Sequence, residues 1–346
     1  MHVDAIPLLG AHSWYSLMDG ARSPSDFAVA AAKGGWSALA LADQNNMHAL
    51  PELVDAAAEA GLKPIAAASL ETGGVSLRAY CLDRPGYSRL CALLTRVLAV
   101  EVPRRRLRLP PEVLEEECAA ADIAPGRAPG RATGRARGAP PPFDLIADLR
   151  ENGWDGLALA SADEAVLTAL AGHGRLYVAL PLGSPQVGGA HIARELGLPL
   201  LPEHPARFIE EGDAELWRLA RAVEERKTLA GLEREGRPDP PGAAFVASRR
   251  AAALLSAFPE AIAAVRELAE EAAPAASFFA DPPVFPAYHG LCDEEAFYLL
   301  RSLCAEGARR RYGPQSLEGA RLRARLEREL RIIRDKDRRA SCRERV

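Results

Sequence analysis

Short apolar runs recur through the first two hundred positions, at residues 5–9, 38–42, 64–68, 76–82, 156–160, 176–180 and 198–201. Runs of this length, bounded by Gly, Pro and polar residues, predict buried strands. Between them, apolar residues spaced three and four apart predict helices over 24–33, 49–60, 86–98, 164–170 and 190–196. Both ends of the first helix are marked. Ser23 can accept from an orphan amide, Pro24 lacks an amide that would go unbonded, and Gly34-Gly35 tolerate the turn that stops a helix. Strand and helix in alternation imply parallel strands joined by crossover helices, with candidate site loops at the strands' C-terminal ends. The pattern fits an α/β barrel and an open sheet equally.

From residue 212 the period becomes helical, over 215–225, 248–258, 262–272, 294–307 and 317–333, with a proline-stiffened connector at 282–288. The expected organisation is a barrel or sheet domain at 1–211 and a helical segment at 212–334. Residues 124–142 (APGRAPGRATGRARGAPPP) break the alternation. Gly, Pro, Ala and Arg without an apolar period predict a mobile loop, and a linker left by drift is the plainer reading than a nucleic-acid-binding arm. Residues 335–346 also lack a period, and the last eight resemble a translated sequencing adapter, so a truncated or misassembled gene is expected there.

Hydrophobic residues make up 48% of the 346, enough for a sizeable core, which excludes global disorder. No apolar stretch approaches the roughly 20 residues needed to cross a bilayer, and residues 1–9 lack the basic start of a secretory signal. The six cysteines form no Cys-x-x-Cys pair, which disfavours a structural zinc site, and the whole reads as cytoplasmic. A net charge of -4 shows no overall basic excess for nucleic acid. The local runs at Arg104-Arg105-Arg106, at Arg309-Arg310-Arg311 and at the C-terminus read first as solvated surface.

Several segments, in order, resemble one family. LGAHSWYSLMDG at 9–20 and ALALADQNN at 38–46 stand where that family typically reads His-x-His-Ser-x-Tyr-Ser-Leu-Leu-Asp-Gly and Ala-Leu-Ala-Leu-Thr-Asp-His-Gly-Asn. GLKPI at 61–65, GYSRLCALLTR at 86–96, LGLPL at 196–200, ERKTL at 225–229, FPEAI at 258–262, EGARRRYG at 306–313 and RLEREL at 325–330 continue the match. The chain thus resembles the PHP (polymerase and histidinol phosphatase) domain and the start of the polymerase region of a bacterial C-family DNA polymerase III alpha subunit, replicative or error-prone. The resemblance implies a distorted (β/α)7 barrel, then a mainly helical segment leading towards a polymerase palm. It implies a DNA-directed DNA polymerase, a nucleotidyltransferase, acting in replication or error-prone repair synthesis. The family's palm aspartates, which bind Mg2+, come after the position of Val346, so no catalytic or cofactor-binding residue is expected here and the chain alone is expected to be inactive. DNA and deoxynucleotides would be bound through that later region, with a replisome or proofreading subunit as a docking partner and no membrane.

PHP phosphoesterases gather His, Asp and Glu at the strand ends to hold metals that acidify a bound water. Here His12 and Asp19 occupy matching positions, while Gly10 and Gln44 replace histidines. Ser69 replaces an acidic residue, with Glu71 two positions on; Ser76 replaces a histidine; Pro205 and Arg207 replace a late Asp-x-His pair, with His204 out of register. Arginine stays charged and has no lone pair to offer a cation. The resemblance therefore implies no intact metal site, only the vestigial positions His12 and Asp19, with the PHP metals lost and the barrel acting structurally. In that reading His12 is a packed, hydrogen-bonded residue, Asp19-Gly20 forms a turn, and Asp43 bonds within the loop preceding the helix at 49–60. The competing readings are a freestanding PHP-type metal-dependent phosphoesterase and a non-catalytic interaction module.

Overall fold

The chain is described by a computed structural model over residues 5–101, 143–184, 186–235, 239–279, 291–313, 315 and 319–342. The loop expected at 124–142, the connector at 282–288 and the tail residues 343–346 lie outside the described residues. Eight strands form among those described: β1 (Leu8–Ala11), β2 (Ala38–Leu41), β3 (Lys63–Pro64), β4 (Ala67–Thr72), β5 (Val75–Cys81), β6 (Leu157–Ser161), β7 (Leu176–Pro181) and β8 (Leu200–Glu203). They lie in two sheets, β1-β2-β3 and β4-β5-β6-β7-β8. The ring closes because the His204 amide donates to the Leu9 carbonyl (2.7 Å) and the His12 amide to the Ala206 carbonyl (2.8 Å). The result is a distorted barrel.

Its helices are α1 (Pro24–Lys33), α2 (Leu50–Ala60), α3 (Arg84–Glu101), α4 (Leu145–Asn152), α5 (Glu164–Leu170) and α6 (Gln186–Leu196). The Ser23 hydroxyl caps α1 and Asp26 reciprocates, the capping box that the sequence opens with Ser23-Pro24. Alternation along the strands sorts side chains to two faces. Leu39, Leu41, Leu157, Leu159, Val178 and Leu180 pack outward under the helices. Ala38, Ala40, Ala158, Ala160 and Ala179 point to a second, inner core, where small side chains fit a narrow barrel. Val265, Leu268 and Ala269 of a later helix, α10 (Pro259–Glu271), join that inner core.

Parallel pairing throughout was the expectation, and the structure corrects it. The expected strand at 64–68 splits into β3 and β4, and β5 pairs antiparallel with both β4 and β6. Gly73 and Gly74, both at positive φ, turn β4 directly into β5 with no room for a helix. Helix α4, capped by the Asp144 carboxylate, was not expected.

The change of period at residue 212 is a change of secondary structure within one compact unit, Met1–Ala280. Helices α7 (Glu211–Glu224), α8 (Leu229–Glu235), α9 (Ser248–Leu254) and α10 belong to it. Arg22 donates to Asp213 (2.5 Å) and the Ile6 amide donates to Ser248 (3.2 Å), tying the barrel to this helical part. The second unit, Asp281–Val346, contains α11 (Asp293–Tyr312) and α12 (Ala320–Cys342). Among the described residues, no helix is long and apolar enough to cross a membrane.

Candidate functional site

The loop after β1 and the segment after β8 meet at one mouth of the barrel. The loop from 12 to 20 folds back so tightly that a Cβ on Gly20 would lie 1.8 Å from the Ser13 carbonyl oxygen. The amides of Asp19 and Gly20 both donate to Ser16 O (2.8 and 3.0 Å), which makes the expected turn. Asp43, at the end of β2, holds this loop. Its buried carboxylate accepts from the Ser13 amide (2.7 Å), the Ser13 hydroxyl (2.7 Å) and the Ser16 hydroxyl (2.6 Å). Its bonds therefore cross to the first loop rather than staying within its own, a correction to the sequence reading. Burial pushes the Asp43 carboxyl upward, against the pull of these donors.

His12 and Asp19 come together, as the sequence motif requires. His12 is buried, with Nδ1 3.3 Å from Ser16 Oγ and 3.6 Å from Asp19 Oδ2. Burial, then the field of Arg207, lowers its pKa to about 3 against the opposing pull of Asp19. A neutral imidazole makes the 3.6 Å contact a dipolar one, not an ion pair. Asp19 has a stronger partner: Arg207 Nε donates to its Oδ1 at 2.8 Å, with both side chains only 16% exposed. Burial would raise Asp19, but the Arg207 guanidinium overrides it and holds the carboxyl below its usual range. Arg207 Nη1 also donates to Pro205 O (2.9 Å), so the guanidinium is fixed from two sides.

The other substituted positions have local partners. Gln44 Nε2 donates to Glu71 Oε2 (2.7 Å), and the Glu71 amide donates to Asn45 Oδ1 (2.8 Å). Burial and then the Asp19 charge push the Glu71 carboxyl up. Ser69 donates to Ala42 O (2.9 Å), and the Ser76 carbonyl accepts from Ser161 Oγ (2.9 Å). His204 is a packing residue: its ring stacks on Trp36 and lies beside Phe245, and Nε2 accepts from the Val246 amide (3.0 Å). Asp19, Gln44, Glu71 and Arg207 line a cavity of about 590 Å3 with Trp217 and Arg221 of α7.

Below this lies a charge cluster that sequence reasoning missed. Tyr80 donates to Glu203 Oε1 (2.5 Å), and Arg78 Nη1 stands 3.0 Å from Glu203 Oε2 without hydrogen-bond alignment. Glu203 is fully buried, which raises its carboxyl, while Arg78 opposes the rise. One signal was available: arginine inside the apolar run VSLRAYC, two residues from Tyr80 and so on the same face of β5. Gly10 completes the arrangement. It sits at φ +86 in a β-bulge, and a Cβ there would lie 3.4 Å from Glu203 Cβ and 3.5 Å from the Tyr80 hydroxyl.

The sequence pattern of the PHP domain matches residues 9–122. Over 350 aligned positions the chain is 28% identical to the error-prone DNA polymerase of Mycobacterium tuberculosis (strain ATCC 25618 / H37Rv), covering 94% of this chain and 29% of that protein. A shorter match, 32% identity over 114 residues, joins 33% of the chain to 11% of the Corynebacterium glutamicum error-prone DNA polymerase. The chain thus spans under a third of the length of the curated relatives it matches. An amidohydrolase structure from Chromobacterium violaceum overlaps 59% of the chain and 88% of its own, with a TM-score of 0.38 and 18% identity.

The metal centre implied by the family can be tested on these side chains. Asp19 already carries a guanidinium, Gln44 turns its NH2 to Glu71, and Gly10 has no side-chain donor and a backbone φ of +86 that disfavours one. Among the described residues no group of three or more His, Cys, Asp or Glu is placed to hold a metal ion. The donor set as arranged does not fit a multinuclear cation site.

Proposed function

We propose that the chain, whose residues 9–122 match the PHP domain, is a portion of a C-family, error-prone-type DNA polymerase whose barrel is a metal-free structural support. The observation that carries the reading is the Asp19–Arg207 pair: a fixed cation sits on a carboxylate at a vestigial metal position. A guanidinium bridges strand-end loops as a metal would, but it binds no water to acidify, so the hydrolytic role goes while the architectural one stays. Alignment with error-prone DNA polymerases along 94% of the chain supports the polymerase assignment. In this reading DNA and deoxynucleotides are held mainly by polymerase elements that the relatives carry beyond the matched segment, and nucleotide transfer needs those elements.

Two measurements test it. Elemental analysis of the purified protein is expected to find no stoichiometric zinc, manganese or iron, and the protein is expected to release no phosphate from p-nitrophenyl phosphate. Genomic sequence continuing in frame past the codon for Val346 into a palm, with primer extension by the longer product, is the expected companion result. Stoichiometric metal with phosphatase activity would instead identify a phosphoesterase.

A further inference from the structure

We propose that one face of α12, carrying Arg321, Arg325, Arg328 and Arg331, is a binding surface for the phosphate backbone of DNA. Positive charge is segregated into this part of the chain. Residues 301–334 hold ten arginines against four acidic residues, a surplus of six in a chain whose total is -4. Overall charge therefore hides it, and the run at 309–311 is only its edge. At about 100° per residue, Arg321, Arg325 and Arg328 fall within roughly 60° around the helix, with Arg331 about 60° further on. With a rise of about 1.5 Å per residue, the row extends roughly 15 Å. All four side chains are exposed. The sector between them contains Ala324 and Ile332, with Asp335 one turn after Arg331, and none of the four arginines has an ion-pair partner among the described residues.

Glu327, four residues before Arg331, is engaged elsewhere: it accepts from Arg301 of α11 (2.5 Å), which leaves Glu329 as the acidic neighbour of Arg325. Like charges three and four apart on a helix repel, each pair costing about 0.2–0.5 kcal/mol, so the bare face is mildly unfavourable until a polyanion covers it. Duplex DNA presents about one charge per 1.7 Å of axis, so a row of this length passes several phosphates, and guanidinium forks match phosphate oxygens. An anionic membrane fits less well. A helix lying on a bilayer needs its apolar flank free, whereas Leu330 on that flank is buried. The choice of DNA over other polyanions rests on the polymerase reading above.

The test is fluorescence anisotropy of a fluorescein-labelled 24-base-pair duplex titrated with the 346-residue protein between 50 and 200 mM NaCl. Three to four phosphate contacts predict a log–log salt slope of roughly -3, a loss of about 60-fold in affinity across that range. Replacing Arg321, Arg325 and Arg328 together by Gln should weaken binding at least about tenfold and cut the slope by roughly three. Glutamine is a good helix former, so circular dichroism should be unchanged. The control Arg194/Arg249/Arg250→Gln alters net charge equally on exposed positions of the other unit, and should keep binding within about twofold. The inference is overturned if the unaltered protein shows no salt-dependent binding, or if the control loses as much as the α12 variant. Binding to phosphatidylserine vesicles in place of DNA, abolished by the same triple exchange, would also overturn it. The assay needs no palm, so its failure removes this surface, while primer extension by the longer product judges the polymerase reading separately.

Discussion

Arg207→Ala tests the claim that a guanidinium now does the cross-linking at the barrel mouth. The substitution removes a 2.8 Å charge-assisted bond to Asp19 and a 2.9 Å bond to the Pro205 carbonyl, and it leaves Asp19 largely buried without a cation on it. Removing one partner of a fully buried pair costs about 3–5 kcal/mol, and of an exposed pair under about 1. With each side chain 16% exposed, the pair lies towards the buried end, and a loss of about 2–3 kcal/mol follows. In a compact unit of this size that corresponds to a fall of roughly 3–5 °C in melting temperature. The assay is thermal and urea unfolding followed by circular dichroism and tryptophan fluorescence, with Asp19→Asn and the double variant completing a cycle. A coupling of at least about 1 kcal/mol is expected, because the two side chains touch. An Arg207→Ala protein melting within about 1 °C of the parent would refute the reasoning. So would a rise in the parent's melting temperature on adding zinc or manganese at stoichiometric concentration.

Two further outcomes follow from the same geometry. Gly20→Ala must open the first loop, since its Cβ would sit 1.8 Å from Ser13 O; a loss above about 3 kcal/mol is expected in urea unfolding, and a midpoint equal to the parent's would show that the loop yields. His204 is buried between aromatic rings, and burial lowers its pKa from 6.5 to about 4. As pH falls the unfolded chain takes the proton first, so the contribution is complete above about pH 6.5 and drains away between 6.5 and about 4, by roughly 3 kcal/mol in all. His204→Gln should make stability less steep across that window, with the slope due to His12 remaining; coincident slopes for the two proteins would count against the assignment.

Much of the barrel was legible because run length and alternation follow from burial alone. The residues at 38–42 and 156–160 announce strands whose leucines face helices and whose alanines face the barrel interior. The antiparallel hairpin was written locally too, in Gly73-Gly74, but regular alternation elsewhere outweighed a two-residue signal. His12 and Asp19 were brought together as the motif requires. What could not be read were pairings between distant positions. Asp19 and Arg207 stand 188 residues apart, and Tyr80 and Glu203 stand 123 apart. A charged residue in an apolar strand states that a partner exists without saying where. Arg207 could be recognised as an obstacle to a metal; that its guanidinium pairs with Asp19 needed the geometry.

The departures from the family pattern also depend on one another. A histidine at position 10 would have to adopt φ +86 and place its Cβ against Glu203 and the Tyr80 hydroxyl, both engaged in the buried charge cluster with Arg78. Side chains rarely tolerate that backbone region, at a cost of about 1–2 kcal/mol. Restoring a ligand at 207 would strip Asp19 of its cation, and restoring one at 44 would free Glu71 from its amide partner. Each single reversion thus loses an interaction before any metal can be gained, because a multinuclear centre needs several donors at once. On the proposed metal-free reading, each single reversion at these positions therefore carries a cost in stability. On that reading such a domain is kept for its shape, because contacts among its own side chains set that shape.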